Sequence, residues 1–265
     1  MFNGMLIGQY LPGDSWLHRL DPRTKLLLVL LYSILVFIPS NLYSIAMAAV
    51  FLVVAVAVGR IPTGYLWRGM RPILFFALIA LVFNLFLTPG KTIFQWGFLT
   101  VTDEGLHIAV LAMSRLILVV LAATLLTLTT SPVALTDGLE RLMRPLARLR
   151  FPAHEIALMM TIALRFVPTL IGEADRLIKA QEARGAEMRR GGLFSRIRAM
   201  IPILVPLFVS SFRRADDLAV AMEARLYRGG EGRTRMYELA FSKADWAAFG
   251  LFLVAAAGII WFMVR

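Results

Sequence analysis

An all-α, multi-pass membrane fold is the class this sequence predicts, and three observations carry the prediction. The 265 residues are 59% hydrophobic and only 17% charged, with a mean hydropathy of +0.73. A soluble domain is about 45–50% apolar and about 25% charged, so lipid has to absorb the surplus. Apolar runs recur at residues 26–38, 42–58, 72–88, 106–130 and 246–264, and a helix needs about 20 apolar residues to cross the hydrocarbon core. Lysine and arginine collect in alternate connections, as the positive-inside rule requires. That distribution accounts for the net charge of +11 without a nucleic-acid partner.

The first run is short and borrows its flanks or tilts less than its neighbours. Asp21-Pro22 opens it, an N-cap acceptor followed by proline at the first helical position, where no donor is lost. The amino terminus holds no continuous apolar core of signal-peptide type, so the first span is its own insertion signal. Arg19, Arg23 and Lys25 precede that span, and the next connection has no basic residue. Arg60, Arg68 and Arg71 follow the second span, and the fourth connection sets Lys91 against Asp103 and Glu104. The alternation predicts a cytoplasmic amino terminus, a fourth span returning to the cytoplasm and a carboxyl terminus outside. Three regions result: four spans in residues 1–130, a cytoplasmic or interfacial block in 131–245, and a fifth span in 246–265.

The block holds 19 of the 28 basic and 13 of the 17 acidic residues, yet long apolar stretches run through it. Three helices are expected. One opens at Ser131-Pro132 and stops near Phe151-Pro152, because the residue before proline disfavours helix. A second runs from about Ala153 to Glu187, before Gly191-Gly192. A third runs from about Phe194 to Tyr227, before Gly229-Gly230. Pro168, Pro202 and Pro206 should kink the last two helices without ending them. Apolar at their starts and charged at their ends, these helices should lie along the cytoplasmic boundary and partly within it.

One helical phrase is written twice. ADRLIKAQEAR, Ala174 to Arg184, and ADDLAVAMEAR, Ala215 to Arg225, match at seven of eleven positions at an offset of 41. Helical spacing lines up Leu177, Ala180 and Arg184 in one copy and Leu218, Ala221 and Arg225 in the other. An alanine stripe permits close approach of two helices, which predicts a crossed pair with an arginine near each tip. An arginine in a last turn complements the helix dipole and leaves a planar guanidinium free for a partner. A capping role explains one such arginine; two copies in register point to a partner with two similar sites.

This pattern closely resembles the transmembrane T component of energy-coupling factor (ECF) transporters, ABC-type importers of vitamins and metal ions in prokaryotes. The resemblance covers nearly the whole chain, through YLPGDSWLHRLDPRTKLL, TLLTLTTSPVALTDGLERLMRPL, ALRFVPTL and the two arginine motifs. The last stretch, FVSSFRRADDLAVAMEARLYRGGEGRTR, is similar to the shared-module type, in which one T component serves interchangeable substrate-binding S components. The resemblance implies a non-catalytic scaffold in the cell membrane that links two ABC-type ATPase subunits to an S component. It holds no cofactor, since ATP is bound by the ATPases. The coupling motifs carried over are Ala183-Arg184-Gly185, a full match, and Ala224-Arg225-Leu226, where many members of the family have a small residue in place of Leu226. The apolar starts of the second and third block helices are candidates to hold the S component, with burial against the chain's own spans as the alternative.

Other signals carry less. The absence of cysteine excludes disulfides, thiolate nucleophiles and cysteine-ligated metals. No P-loop pattern occurs, His154-Glu155 lacks the second histidine of a zinc protease, and His18, His107 and His154 are too scattered for a metal site. GGEGRTR follows a helix and reads as a stop and loop, not a phosphate cradle. Arg115 lies inside the fourth run, where snorkelling or an internal hydrogen bond is expected; for Arg165 the expectation is pairing with backbone or Glu155. An intramembrane enzyme needs paired acidic or histidine residues at membrane depth, and the spans offer essentially none. A stand-alone secondary transporter predicts repeats among the spans, whereas the repeat here lies in the block.

Overall fold

A computed structural model describes residues 10–39, 41–96, 99–143, 145, 152–185, 192–227, 229 and 240–264. Among them are α1 (Pro22–Phe37), α2 (Leu42–Gly59), α3 (Thr63–Leu87), α4 (Asp103–Thr129), α5 (Pro132–Met143), α6 (Ala153–Ala183), α7 (Leu193–Ala224) and α8 (Lys243–Val264). Between α3 and α4 sits an antiparallel hairpin, β1 (Thr92–Trp96) and β2 (Leu99–Thr102), with Thr92 opposite Thr102 and an irregularity before Phe94. The hairpin was not anticipated. The fold is otherwise the expected all-α membrane architecture.

Five helices are long and apolar enough to cross a membrane: α2, α3, α4, α8 and α6 over His154–Ala183. The number matches the expectation and the membership differs. With 16 residues, α1 is only about 24 Å long at 1.5 Å per residue, short of the ~30 Å core. The 31 residues of α6 enter because its apolar first half outweighs the charges of its last turns.

The described chain divides into two compact units. One comprises Gly8–Leu142 with Tyr237–Arg265, and the other contains Met143–Met236. In the first unit, start signals act where expected. The carboxylate of Asp21 accepts the Arg23 amide, and Pro22 is the first residue of α1. The Ser131 hydroxyl accepts the Ala134 amide ahead of Pro132. Thr102 caps α4 by accepting the Gly105 amide, and Asp103 and Glu104 complement the dipole. Gly105 is required there, because a Cβ would meet the carbonyl oxygens of Leu85 at 3.0 Å and Asn84 at 3.2 Å.

Tyr32, Val36, Ile45, Ala48, Leu52, Leu111, Leu118, Phe252 and Ile259 form the main core. Association of helices in lipid relies on close packing and interhelical hydrogen bonds, and both occur. Tyr32 donates to the Ala48 carbonyl at 3.0 Å, and Ser44 donates to the Ile259 carbonyl at 3.1 Å. Arg115 donates to the carbonyl of the buried Pro39. The intramembrane arginine therefore has the internal hydrogen bond expected of it, to a carbonyl that α1 leaves unpaired just past its end.

The segment before α1 is bound to the end of α4. The Leu11 amide donates to the Leu128 carbonyl at 2.9 Å, and Lys25 donates to the carbonyls of Thr129 at 2.9 Å and His18 at 3.2 Å. His18 Nε2 lies 3.0 Å from the Leu11 carbonyl, so it carries the proton, and Nδ1 accepts from the Ser15 hydroxyl at 2.6 Å. Leu17 and Leu20 then pack with Ile61, Leu66, Leu125, Leu128 and Ala248.

Asp245, 1% exposed, joins the start of α8 to the start of α1. Its Oδ1 accepts the Asp21 amide at 2.8 Å. Its Oδ2 accepts both the amide and the hydroxyl of Ser242 at 2.7 Å, the reciprocal half of a capping box. Arg23 pairs with Asp21 at 2.9 Å and lies 4.4 Å over the Phe241 ring. Asp245→Ala leaves the Asp21 and Ser242 amides without their acceptor. Only the Asp21 amide is buried, and an unsatisfied buried donor costs about 1–3 kcal/mol, so the variant should lose roughly 1–3 kcal/mol in equilibrium unfolding in mild detergent. A loss below about 0.5 kcal/mol, the ordinary scatter of surface substitutions, would show that the junction is unimportant.

Candidate functional site

The repeated phrase occupies the ends of α6 and α7 in the second unit. Both helices run unbroken through their prolines, Pro168 in α6 and Pro202 and Pro206 in α7. They end at Ala183 and Ala224, separated by the repeat offset, and short of the expected Glu187 and Tyr227. Glu187, Gly191, Gly230 and most of GGEGRTR lie outside the described residues.

The two ends share one backbone geometry. Arg184 is the C-cap of α6 with φ −85° and ψ 7°, and Arg225 is the C-cap of α7 with φ −89° and ψ 11°. The Arg184 amide donates to the Ala180 and Gln181 carbonyls, and the Arg225 amide to those of Ala221 and Met222. Gly185 and Leu226 then donate to Glu182 and Glu223 at 3.0 and 2.8 Å. Both of these residues are left-handed, with φ 84° at Gly185 and 58° at Leu226, the usual helix stop. Ala183, Arg184, Gly185, Ala224, Arg225 and Leu226 are all exposed. Neither arginine side chain pairs with another described residue. Each tip thus presents, on a defined backbone, an exposed guanidinium that can grip a carboxylate bidentately.

Glu173 and Arg214, immediately before each copy, carry opposite charges and pair at 2.7 Å. Their separation is again 41 residues, so the ion pair joins equivalent positions of the repeat. Beside it lies a cavity of about 260 Å³ lined by Ile162, Phe166 and Leu170 of α6 and by Ser211, Ala215, Leu218 and Met222 of α7, among others. The helices meet here, at the front of the phrase. The alanine stripe is not buried between the helices: Ala180 and Ala221 are exposed. Opposite charges at a fixed offset were the available signal, just outside the eleven aligned positions.

Arg165 is exposed and has no partner among the described residues, contrary to the expected pairing with backbone or Glu155. No cluster of three or more metal-ligating side chains occurs among the described residues.

Comparison with known proteins extends these observations. The family model described as CbiQ, cobalt transport protein, matches residues 13–236. The energy-coupling factor transporter transmembrane protein EcfT of Acidaminococcus fermentans is 49% identical over 99% of this chain and 98% of its own length. The EcfT proteins of Thermosediminibacter oceani and Bacillus subtilis are 50% and 45% identical, covering 92% and 97% of this chain and the same shares of their own.

The Glu173–Arg214 pair can be weighed by a double-mutant cycle. The side chains are 24% and 38% exposed, so solvent screens them and the expected coupling energy is about 0.5–1 kcal/mol. Glu173→Ala and Arg214→Ala should each lower unfolding stability, with the exchange Glu173→Arg, Arg214→Glu restoring most of the loss. A cycle that closes at zero would leave the apolar contacts alone holding the two helices.

Proposed function

The chain belongs to the cobalt transport protein (CbiQ) family and is a transmembrane transporter component, and from that premise we propose that it is the scaffold subunit of an ECF-type ABC importer. In this reading it links two unlike ABC-type ATPase subunits to interchangeable membrane-embedded S components that bind a vitamin or another micronutrient. It performs no catalysis and holds no cofactor, because ATP sits on the ATPases. The observation that carries the reading is the duplicated tip: two exposed arginines, each on the same C-cap backbone, at the ends of two long helices.

The coupling residues are Ala183, Arg184 and Gly185 at one tip and Ala224, Arg225 and Leu226 at the other. Acidic residues in a groove of each ATPase hold the guanidinium groups through charge-assisted hydrogen bonds. ATP binding and hydrolysis move the grooves together and apart, and α6 and α7 carry that movement as levers. On α7 the exposed Leu204, Val205, Phe208, Val209 and Phe212 recur at alternating steps of one and three, a continuous apolar stripe. Such a surface demands lipid or a partner, and the S component is the partner assigned to it here. The amino terminus and coupling helices face the cytoplasm and the carboxyl terminus lies outside. Alternating basic connections support that orientation, with α1 crossing by use of its Ile38-Pro39 flank.

Co-purification in mild detergent with two nucleotide-binding subunits and a small hydrophobic protein is the expected result. A hydrogen bond to a charged group contributes roughly 1.5–3 kcal/mol, so Arg184→Ala or Arg225→Ala should each weaken ATPase binding about 10- to 100-fold. ATP-driven uptake should fall with it. Arg→Lys keeps the charge without the planar fork and should rescue only in part. Parental assembly and uptake in both alanine variants would overturn the reading.

A further inference from the structure

The two tips share a backbone but differ in one residue, and that difference is unfavourable within this chain. Gly185 adopts its φ of 84° freely. Leu226 adopts 58°, a region where an L side chain crowds its own backbone. The leucine gains no burial in return, being 75% exposed. Nor is the turn loose, because the Tyr227 amide closes back on the Met222 carbonyl at 3.0 Å and holds the backbone of Leu226 next to Arg225. Glycine would satisfy the same turn without either penalty. Strain of this kind persists where a site requires it, and an apolar side chain held in water gains most from an apolar socket.

We propose that Leu226 is a specificity knob that makes the two tips non-interchangeable and so sets which of two unlike ATPase subunits docks at each. The groove for the second tip has an acidic rim for Arg225 and an apolar depression for the isobutyl group. The groove for the first tip has the rim alone, since Gly185 offers nothing to fill a depression. This inference rests on the docking reading above and adds the order in which unlike subunits are seated.

The chain has no cysteine, so Glu182→Cys and Glu223→Cys each place a single thiol beside one tip, at equivalent positions. A thiol-linked photo-crosslinker in the full complex, made with both ATPases, then reports which subunit lies at each tip by product mass. In the parent, each thiol should favour one ATPase by about tenfold or more, the discrimination that burying one leucine supplies. Leu226→Gly relieves the strain, so folding is not at risk; both tips should still cross-link, with the preference reduced to near parity. Leu226→Met should keep it, and the exchange Gly185→Leu, Leu226→Gly should invert it. A parental preference that survives Leu226→Gly overturns the inference and leaves docking intact, as does a parent in which both tips take both ATPases equally. Failure of either thiol to reach any ATPase overturns the docking reading and this inference with it.

Discussion

The membrane-embedded unit depends on one carboxylate. A charge in an apolar interior is tolerable only when its lone pairs are occupied, and Asp245 occupies one oxygen with a donor from the far end of the sequence and the other with its own N-cap residue. The Asp21 amide, 224 positions away, starts α1, while Ser242 starts α8. Lys25 lies in the field of both acids and extends the junction to the end of α4 through the Thr129 carbonyl. Three helix ends that would each leave backbone groups unpaired are thereby completed by one another. The short α1 can serve in this unit because its ends are held: Asp21 at its start, and the Arg115–Pro39 hydrogen bond just past its close.

The second unit is organised by repetition. The same eleven-residue phrase yields the same C-cap dihedrals, the same amide pairings and the same left-handed stop, because these are local consequences of a helix ending at Glu-Ala-Arg. Outside the phrase the copies diverge in a complementary way. Glu173 opposes Arg214, a pairing that matches the two unlike helices to each other and not either to a second copy of itself. The apolar residues lining the cavity beside this pair come from upstream of the phrase in α6 and mostly from within it in α7, so the repeated local structure does not make the surroundings symmetric.

Much of this was legible from residues alone. Asp21-Pro22 and Ser131-Pro132 start helices because side-chain oxygen and fixed proline φ act within one turn. The paired arginine tips were likewise visible as a duplicated phrase. Less visible were the hairpin between α3 and α4, the shortness of α1 and the exposed alanines. The hairpin joins segments whose pairing depends on strand register, and the alanine stripe was one of several helix faces available for contact. Arg165 shows the limit from the other side: proximity in sequence to Glu155 did not produce a pair.

Composition, charge alternation and helix-stop chemistry were enough to establish a helical membrane protein with twin cationic tips, since each acts over a turn or over the thickness of a bilayer. Which groups meet across long separations was a matter for the folded chain: Asp245 with Asp21, Lys25 with Thr129, Arg115 with Pro39, Glu173 with Arg214. A buried donor or acceptor can be satisfied by many chemically equivalent partners, and only the packed arrangement of helices selects one.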